Sequence, residues 1–159
     1  MGLPPGNWFL NSKERKKLLQ ALHEQFSIEE LPKGAYVQNA KDKIFLINKE
    51  IDTIDFEKLY IDSVGLYLGA WQIDGFRLSM EGAQLLAPLI KKNIVTLDAL
   101  QRKEWLQGKD LVWEGKGKEF VIVRYEHDVL GSGKVRQPRP EKDEPVMLLN
   151  FIPKARRLI

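Results

Sequence analysis

The chain has no cysteine and only two histidines, His23 and His127. Without thiols it can form no disulfide, no thiolate metal site and no cysteine nucleophile, and two separated imidazoles fall short of the usual metal ligand sets. Metal catalysis is therefore not expected. Long apolar runs are missing as well. No window approaches the roughly eighteen apolar residues of a membrane span, and the start MGLPPGNWFL lacks the basic region and long apolar core of a secretion signal. The expectation is an intracellular, cytoplasmic protein that does not meet a membrane. The sequence also lacks GxGxxG, GxSxG, HExxH and a complete GxxxxGK followed by Ser or Thr. It therefore shows no dinucleotide cradle, nucleophile elbow or zincin pair. GSGK at Gly131 to Lys134 resembles a piece of a phosphate loop, but the first glycine is not at the required spacing and Val135 stands where a metal-binding hydroxyl belongs. His127 next to Asp128 has no nucleophile near it in sequence and reads as a turn. Neither an enzyme nor a cofactor is expected.

What is present is enough apolar content for an ordinary globular core, 43% of 159 residues, and an uneven charge. Residues 1–81 hold 10 Lys and Arg against 12 Asp and Glu, a net of −2, while residues 82–159 hold 15 against 10, a net of +5. A basic second half is what contact with an anionic polymer requires, and an ordinary lysine-rich solvated surface is the plainer account of the same numbers.

Along the chain, Met1 to Gly6 reads as a tail, with Trp8 and Phe9 anchoring it to a first helix. Asn11 with Glu14 three residues on has the form of a capping box, and Leu18, Leu19, Leu22 and Phe26 share one helix face. Lys13, Lys16 and Lys17 fall on the opposite face and read as solvated helix charges in preference to a second nucleic-acid patch. AYV and KIFLI, separated by Gln38 to Asp42, predict one hairpin; GLYLGAWQI and FRL, turning at Ile73 to Gly75, predict another. Ile51 to Tyr60 is ambiguous and has room for a short helix. Ser79 predicts a helix cap, with the helix kinking or stopping before Pro88. Asn93 marks a boundary without a linker. Thr96 is placed as the cap of a helix Leu97 to Gln107, with Gly108 as its left-handed C-terminal residue. Pro138 to Pro145 is a charged loop that should project into solvent.

The densest strand signals lie between Gly108 and Arg157. EFVIVRY (Glu119 to Tyr125) has no polar alternation over Val121 to Val123, so that strand should be covered on both faces. VLGSGKVR (Val129 to Arg136) carries Gly131 and Gly133 inside a strand pattern. That marks either a bulge at a barrel corner or a place where a ligand backbone comes close. Pro153 should end the last strand, releasing Lys154, Arg156 and Arg157 as an exposed basic edge, with Leu158 and Ile159 packing back onto the barrel.

On WLQGKDL (Trp105 to Leu111), FVIVRY (Phe120 to Tyr125), VLGSGKV (Val129 to Val135) and NFIPKARR (Asn150 to Arg157), the second half resembles the PUA-like RNA-binding domain. This is the domain attached to methyltransferases of the NOL1/NOP2/Sun class and found in small archaeal ribosome-biogenesis proteins. Gly65 to Pro88 looks, more loosely, like the α/β domain that precedes such modules. The resemblance implies an α+β protein: an N-terminal mixed α/β (pre-PUA-like) domain over residues 1–92, then a PUA-like β-barrel over residues 93–159. It implies that structured RNA, rRNA or tRNA, is held between the first barrel helix, a glycine-bearing loop and a neighbouring strand. The candidate RNA-binding residues are Gly108, Lys109, Arg124, Gly131, Ser132, Gly133, Lys134, Arg136, Asn150, Lys154, Arg156 and Arg157. The family's methyltransferase motor uses catalytic cysteines, of which this chain has none. The expected role is a non-catalytic accessory factor in rRNA or tRNA modification or ribosome biogenesis, beside an RNA methyltransferase or a pre-ribosomal protein. The alternative is a protein-interaction module that docks through its acidic N-terminal domain, with RNA binding secondary.

Overall fold

Helix α1, Ser12–Phe26, starts where the sequence places it. The Asn11 side chain accepts from the Glu14 N–H at 2.9 Å, and the Glu14 carboxylate accepts from the Asn11 N–H at 3.2 Å. Reciprocal capping of this kind satisfies two otherwise orphaned donors and stabilises a helix by about 1 kcal/mol. Ser27 closes the other end in the left-handed region. Leu18, Leu22 and Phe26 form the buried face. The computed structural model describes residues 3, 5–47, 65–115, 117–139 and 141–158; the run Ile51 to Tyr60 lies outside them.

The buried face of α1 rests on an antiparallel sheet of five strands in sequence order: β1 (Asn7–Phe9), β2 (Ala35–Asn39), β3 (Lys43–Ile47), β4 (Leu66–Gln72) and β5 (Gly75–Leu78). Both predicted hairpins are present. The segment around Trp8 is more than an anchor, because Asn7, Trp8 and Phe9 pair with Asn39, Gln38 and Val37 as an edge strand. Helix α2, Met80–Leu86, is capped by the Ser79 hydroxyl, which accepts from Gly82 N–H at 2.8 Å. Pro88 ends it as expected, and the chain tightens into a 3-10 turn over Ala87–Leu89.

The second sheet contains β6 (Ile94–Thr96), β7 (Leu111–Val112), β8 (Glu119–Tyr125), β9 (Asp128–Arg136) and β10 (Met147–Asn150), in the order β6-β8-β9-β10-β7, with β6 parallel to β8. The predicted barrel is a curled half-barrel, with β6 and β7 as edges that do not pair with each other among the described residues. Helix α3, Ala99–Leu106, plugs it with Trp105, which is fully buried. Thr96 does not cap α3. It is the last residue of β6, paired with Arg124, and Asp98 caps instead, in a second reciprocal box with Gln101. Gly108 follows the helix at φ +88°, as predicted.

Strand β8 joins the two halves. Phe120 and Ile122 face the core under α1, while Val121 and Val123 face the core of the half-barrel. The unbroken apolar run is thus covered on both faces, by two different cores. Burying a side chain such as Ile122 fully stabilises by about 1.5–3 kcal/mol, so this strand weighs on both halves. Asn93, read as a boundary, acts as a bridge. Its amide donates to the Gln25 carbonyl at 2.6 Å, and its side-chain oxygen accepts from Lys118 N–H at 3.2 Å.

Candidate nucleic-acid interface

The glycine-bearing strand sits inside the molecule. On β9, Gly131 pairs with Val123 and Val129 with Arg124, so Leu130 is the extra residue of a bulge. Gly131 takes φ +124° next to it. A Cβ at Gly133 would lie 2.6 Å from the Leu149 carbonyl oxygen and 2.8 Å from the Trp105 ring. Ser132 is buried and donates its hydroxyl to the Leu78 carbonyl. The placement of Gly131, Ser132 and Gly133 at a ligand surface is therefore corrected: they are buried, and the corner reading accounts for both glycines.

Four other predicted residues meet at the C-terminal end of α3. The Asn150 amide donates to the carbonyls of Trp105 (2.7 Å) and Lys109 (3.0 Å), its side-chain oxygen accepts from Ile152 N–H (2.8 Å), and its own N–H donates to Asp110 Oδ1 (2.8 Å). Every polar atom of this side chain is engaged within the protein, so Asn150 shapes the corner. Arg157 lies along Gly108, where any Cβ would collide with its side chain, and its Nε donates to the Ile152 carbonyl at 3.0 Å. Lys109 and Lys154 point outward and are exposed. Strand β10 ends at Asn150, ahead of Pro153, and Lys154–Arg156 curl into a 3-10 turn. Leu158 does not pack back: its side chain is exposed, although its N–H donates to the Leu106 carbonyl at 2.7 Å. Ile159 lies outside the described residues.

Two predicted cations are used elsewhere. Lys134 pairs with Asp74 and lies 5.3 Å from the centroid of the Phe120 ring, and Arg156 pairs with Glu81. Both carboxylates come from the first half, so these pairs stitch the sheets together, alongside Arg77 stacked 4.8 Å over Phe151. The Lys134 ammonium, bonded to Asp74, holds that carboxyl below its ordinary range. Arg124 donates to Thr96 Oγ1 at 3.0 Å on the β6 side, and Arg136 is exposed at the end of β9. The twelve predicted residues therefore do not form one surface: four share the α3 corner with Lys154 beside them, two bind the seam, three are buried, and Arg124 and Arg136 stand apart. The loop through Arg139, Lys142 and Asp143 is exposed, as predicted.

The sequence reading missed a cleft of about 310 Å³ between α1 and the end of the first sheet, lined by Glu14, Lys17, Gln38, Asp42, Trp71 and Gln72. The signal available in the sequence was Trp71 followed by the polar Gln72 at the end of an apolar strand run. Among the described residues, no group of three His, Asp or Glu stands together as a metal site, and no helix is long and apolar enough to cross a membrane.

These features define a class: an α+β protein whose curled half-barrel, plugged by α3, carries cations at the helix corner and shares a core with a second sheet. Residues 92–158 match the family described as the methyltransferase RsmF PUA domain. The chain is similar to the ribosomal RNA small subunit methyltransferase F of Vibrio cholerae, 31% identical over 123 residues, which are 77% of this chain and 26% of that protein. The enzyme of the same name from Aeromonas hydrophila is 30% identical over 127 residues, 79% of this chain and 26% of the relative. That from Vibrio vulnificus is 26% identical over 124 residues, with 78% and 26% covered. The chain thus spans about a quarter of the length of these relatives. Residues 92–158 thus match a PUA-domain family, and most of the chain is similar to one part of these rRNA methyltransferases. The relatives are bacterial, whereas the resemblance read from the sequence extended to small archaeal proteins.

Proposed function

We propose that this chain holds structured RNA on its PUA half, as a non-catalytic participant in rRNA modification, with the methyl-transfer chemistry carried out by an accompanying methyltransferase. The carrying observation is that the residues matching the PUA family include the α3 corner, where Asn150 fixes the Trp105 and Lys109 carbonyls, Arg157 lies along Gly108, and Lys109 and Lys154 are exposed. Arg157 can fork onto a phosphate, while the two lysines supply point charges. Because the relatives are named for small-subunit rRNA, rRNA is the favoured substrate over tRNA. The same cations also complement the negative end of the α3 dipole, worth about 0.3–1 kcal/mol each, so affinity and melting temperature must be read on one sample. With Lys109→Ala and Lys154→Ala together, affinity for folded rRNA fragments should fall across sequences. The slope of log K against log salt should flatten by about 1–2, at roughly 0.9 for each phosphate no longer neutralised, and stability should fall by no more than the dipole contribution of the two lysines, about 2 kcal/mol. An unchanged affinity and slope would overturn the assignment of this corner. Transfer of labelled methyl from S-adenosylmethionine to rRNA by the chain alone would overturn the non-catalytic role.

A further inference from the structure

The cleft under α1 has a definite chemical order. Across the end of the first sheet, Trp8 of β1 stands beside Gln38 of β2, with which it is paired; Asp42 follows in the β2–β3 turn, and then Trp71 of β4, whose N–H donates to the Asp42 carbonyl at 3.0 Å. The cleft thus sets one indole, Trp71, beside an amide and a carboxylate, with Gln38 Nε2 donating to Asp42 Oδ1 at 3.3 Å and Gln72 adding a second amide. Trp8 remains 39% exposed, and its ring nitrogen is held by Glu14 at 3.2 Å. Trp71 is fixed edge-on by Phe76, ring centroids 5.2 Å apart, and Lys17 reaches over its ring at 5.0 Å. Lys17 supplies positive charge at the rim.

We propose that this cleft takes an unpaired RNA base, stacked on Trp71 in place of the exposed Lys17 ammonium, with its edge read by Gln38, Asp42 and Gln72, while Lys17 swings out to the flanking phosphate. This rests on the proposed RNA-holding function and adds a second contact to it, on the other half of the molecule. Three observations favour a base. The volume, about 310 Å³, is that of a small-molecule site, too confined for a duplex groove. Aromatic floors with amide and carboxylate walls are how single-stranded bases are stacked and hydrogen-bonded, an acidic side chain accepting from a base amino group. A cationic protein side chain, the other guest an indole and carboxylates could attract, is disfavoured here. The Lys17 ammonium beside the ring repels such a guest but can pair with a nucleotide's phosphate, and both Glu14 oxygens already accept bonds, from Asn11 N–H and from Trp8.

The test compares the full chain binding a blunt RNA hairpin and the same hairpin with a short single-stranded extension. One stacked base should make the extended RNA bind about 5- to 150-fold more tightly. Trp71→Leu, which keeps an apolar contact with the core but removes the flat ring, should abolish that preference and leave blunt-hairpin affinity alone. Asp42→Asn is the second variant, since Asp42 sits at φ 62° and Asn tolerates that region. It should reduce the preference without changing the melting temperature. Equal binding of both RNAs by the parent, or a preference that survives both substitutions, overturns the cleft proposal and leaves the α3 corner standing. Binding to neither RNA overturns the RNA-holding function and this proposal with it. Trp71-dependent capture of an arginine-rich peptide, with no preference for the extension, would make the cleft a cation site and refute the base assignment.

Discussion

Neutralising Asp74 and Glu81, by Asp74→Asn with Glu81→Gln, should make the protein bind structured RNA more tightly. In the native seam these carboxylates hold Lys134 and Arg156, two cations that would otherwise be available to phosphates. Both pairs are partly exposed, with side-chain accessibilities of 27% and 43% in one and 46% and 42% in the other. Each therefore contributes only about 0–1 kcal/mol to stability, and the double variant should melt close to the parent. Each freed cation that reaches a phosphate adds roughly 0.9 to the slope of log K against log salt, so two such cations add about 1.8. Lowering salt from about 200 to about 50 mM would then strengthen binding by about 12-fold more than in the parent, from the same relation. Fluorescence anisotropy with a labelled rRNA hairpin across that salt range reads the slope directly. The control is Glu141→Gln with Asp143→Asn, which makes the same change in net charge on the exposed loop. If the seam variant gains no more affinity or slope than the loop variant, Lys134 and Arg156 are not held back from RNA by their carboxylates and the reasoning fails.

Two further outcomes are expected from the interior. Tyr36 is almost fully buried, its hydroxyl donates to the Pro32 carbonyl at 2.6 Å, and burial pushes its pKa up to about 12. Because the folded value exceeds the ordinary value near 10, its contribution is complete below about pH 10 and is lost as pH rises toward 12, costing up to about 2–3 kcal/mol. Tyr36→Phe should flatten that alkaline limb in denaturation curves measured from pH 9 to 12, and a limb of unchanged steepness would show that another group drives it. Gly133→Ala should lower stability by about 1–3 kcal/mol, since its methyl must displace the Leu149 carbonyl or the Trp105 ring. The folded variant should bind RNA as the parent does. Loss of affinity without loss of stability in a denaturant titration would restore the ligand-side reading of this strand.

How much could be read in the sequence follows the distance over which each feature is determined. The α1 cap, both hairpins, the stop before Pro88 and the left-handed Gly108 depend on residues a few positions apart, and they were legible. Thr96 was misread because only its pairing with Arg124, 28 residues on, makes it a strand residue and passes the cap to Asp98. The basic surface was misread for the same reason. Lys134 and Arg156 are cations in any local window, and their partners lie 60 and 75 residues away. Asn150 was placed among the RNA contacts, whereas its side chain shapes the corner from within. Its carbonyl partners at Trp105 and Lys109 were beyond sequence reasoning, because they depend on α3 ending beside β10.

Strand β8, whose alternate side chains belong to different cores, also bears on how such a molecule can measure distance. A pair of domains joined by a linker samples many separations, and a ligand touching both must meet the entropy of fixing them. Here the strand that walls one core is the wall of the other, so the separation of the α3 corner from the cleft under α1 is set by covalent geometry and close packing. An RNA that reaches both places is compared against a fixed span. Under the two proposed contacts, stem and unpaired nucleotides must lie at matching distances or only one of the two places is filled, and the protein would gauge RNA shape with little dependence on the bases between.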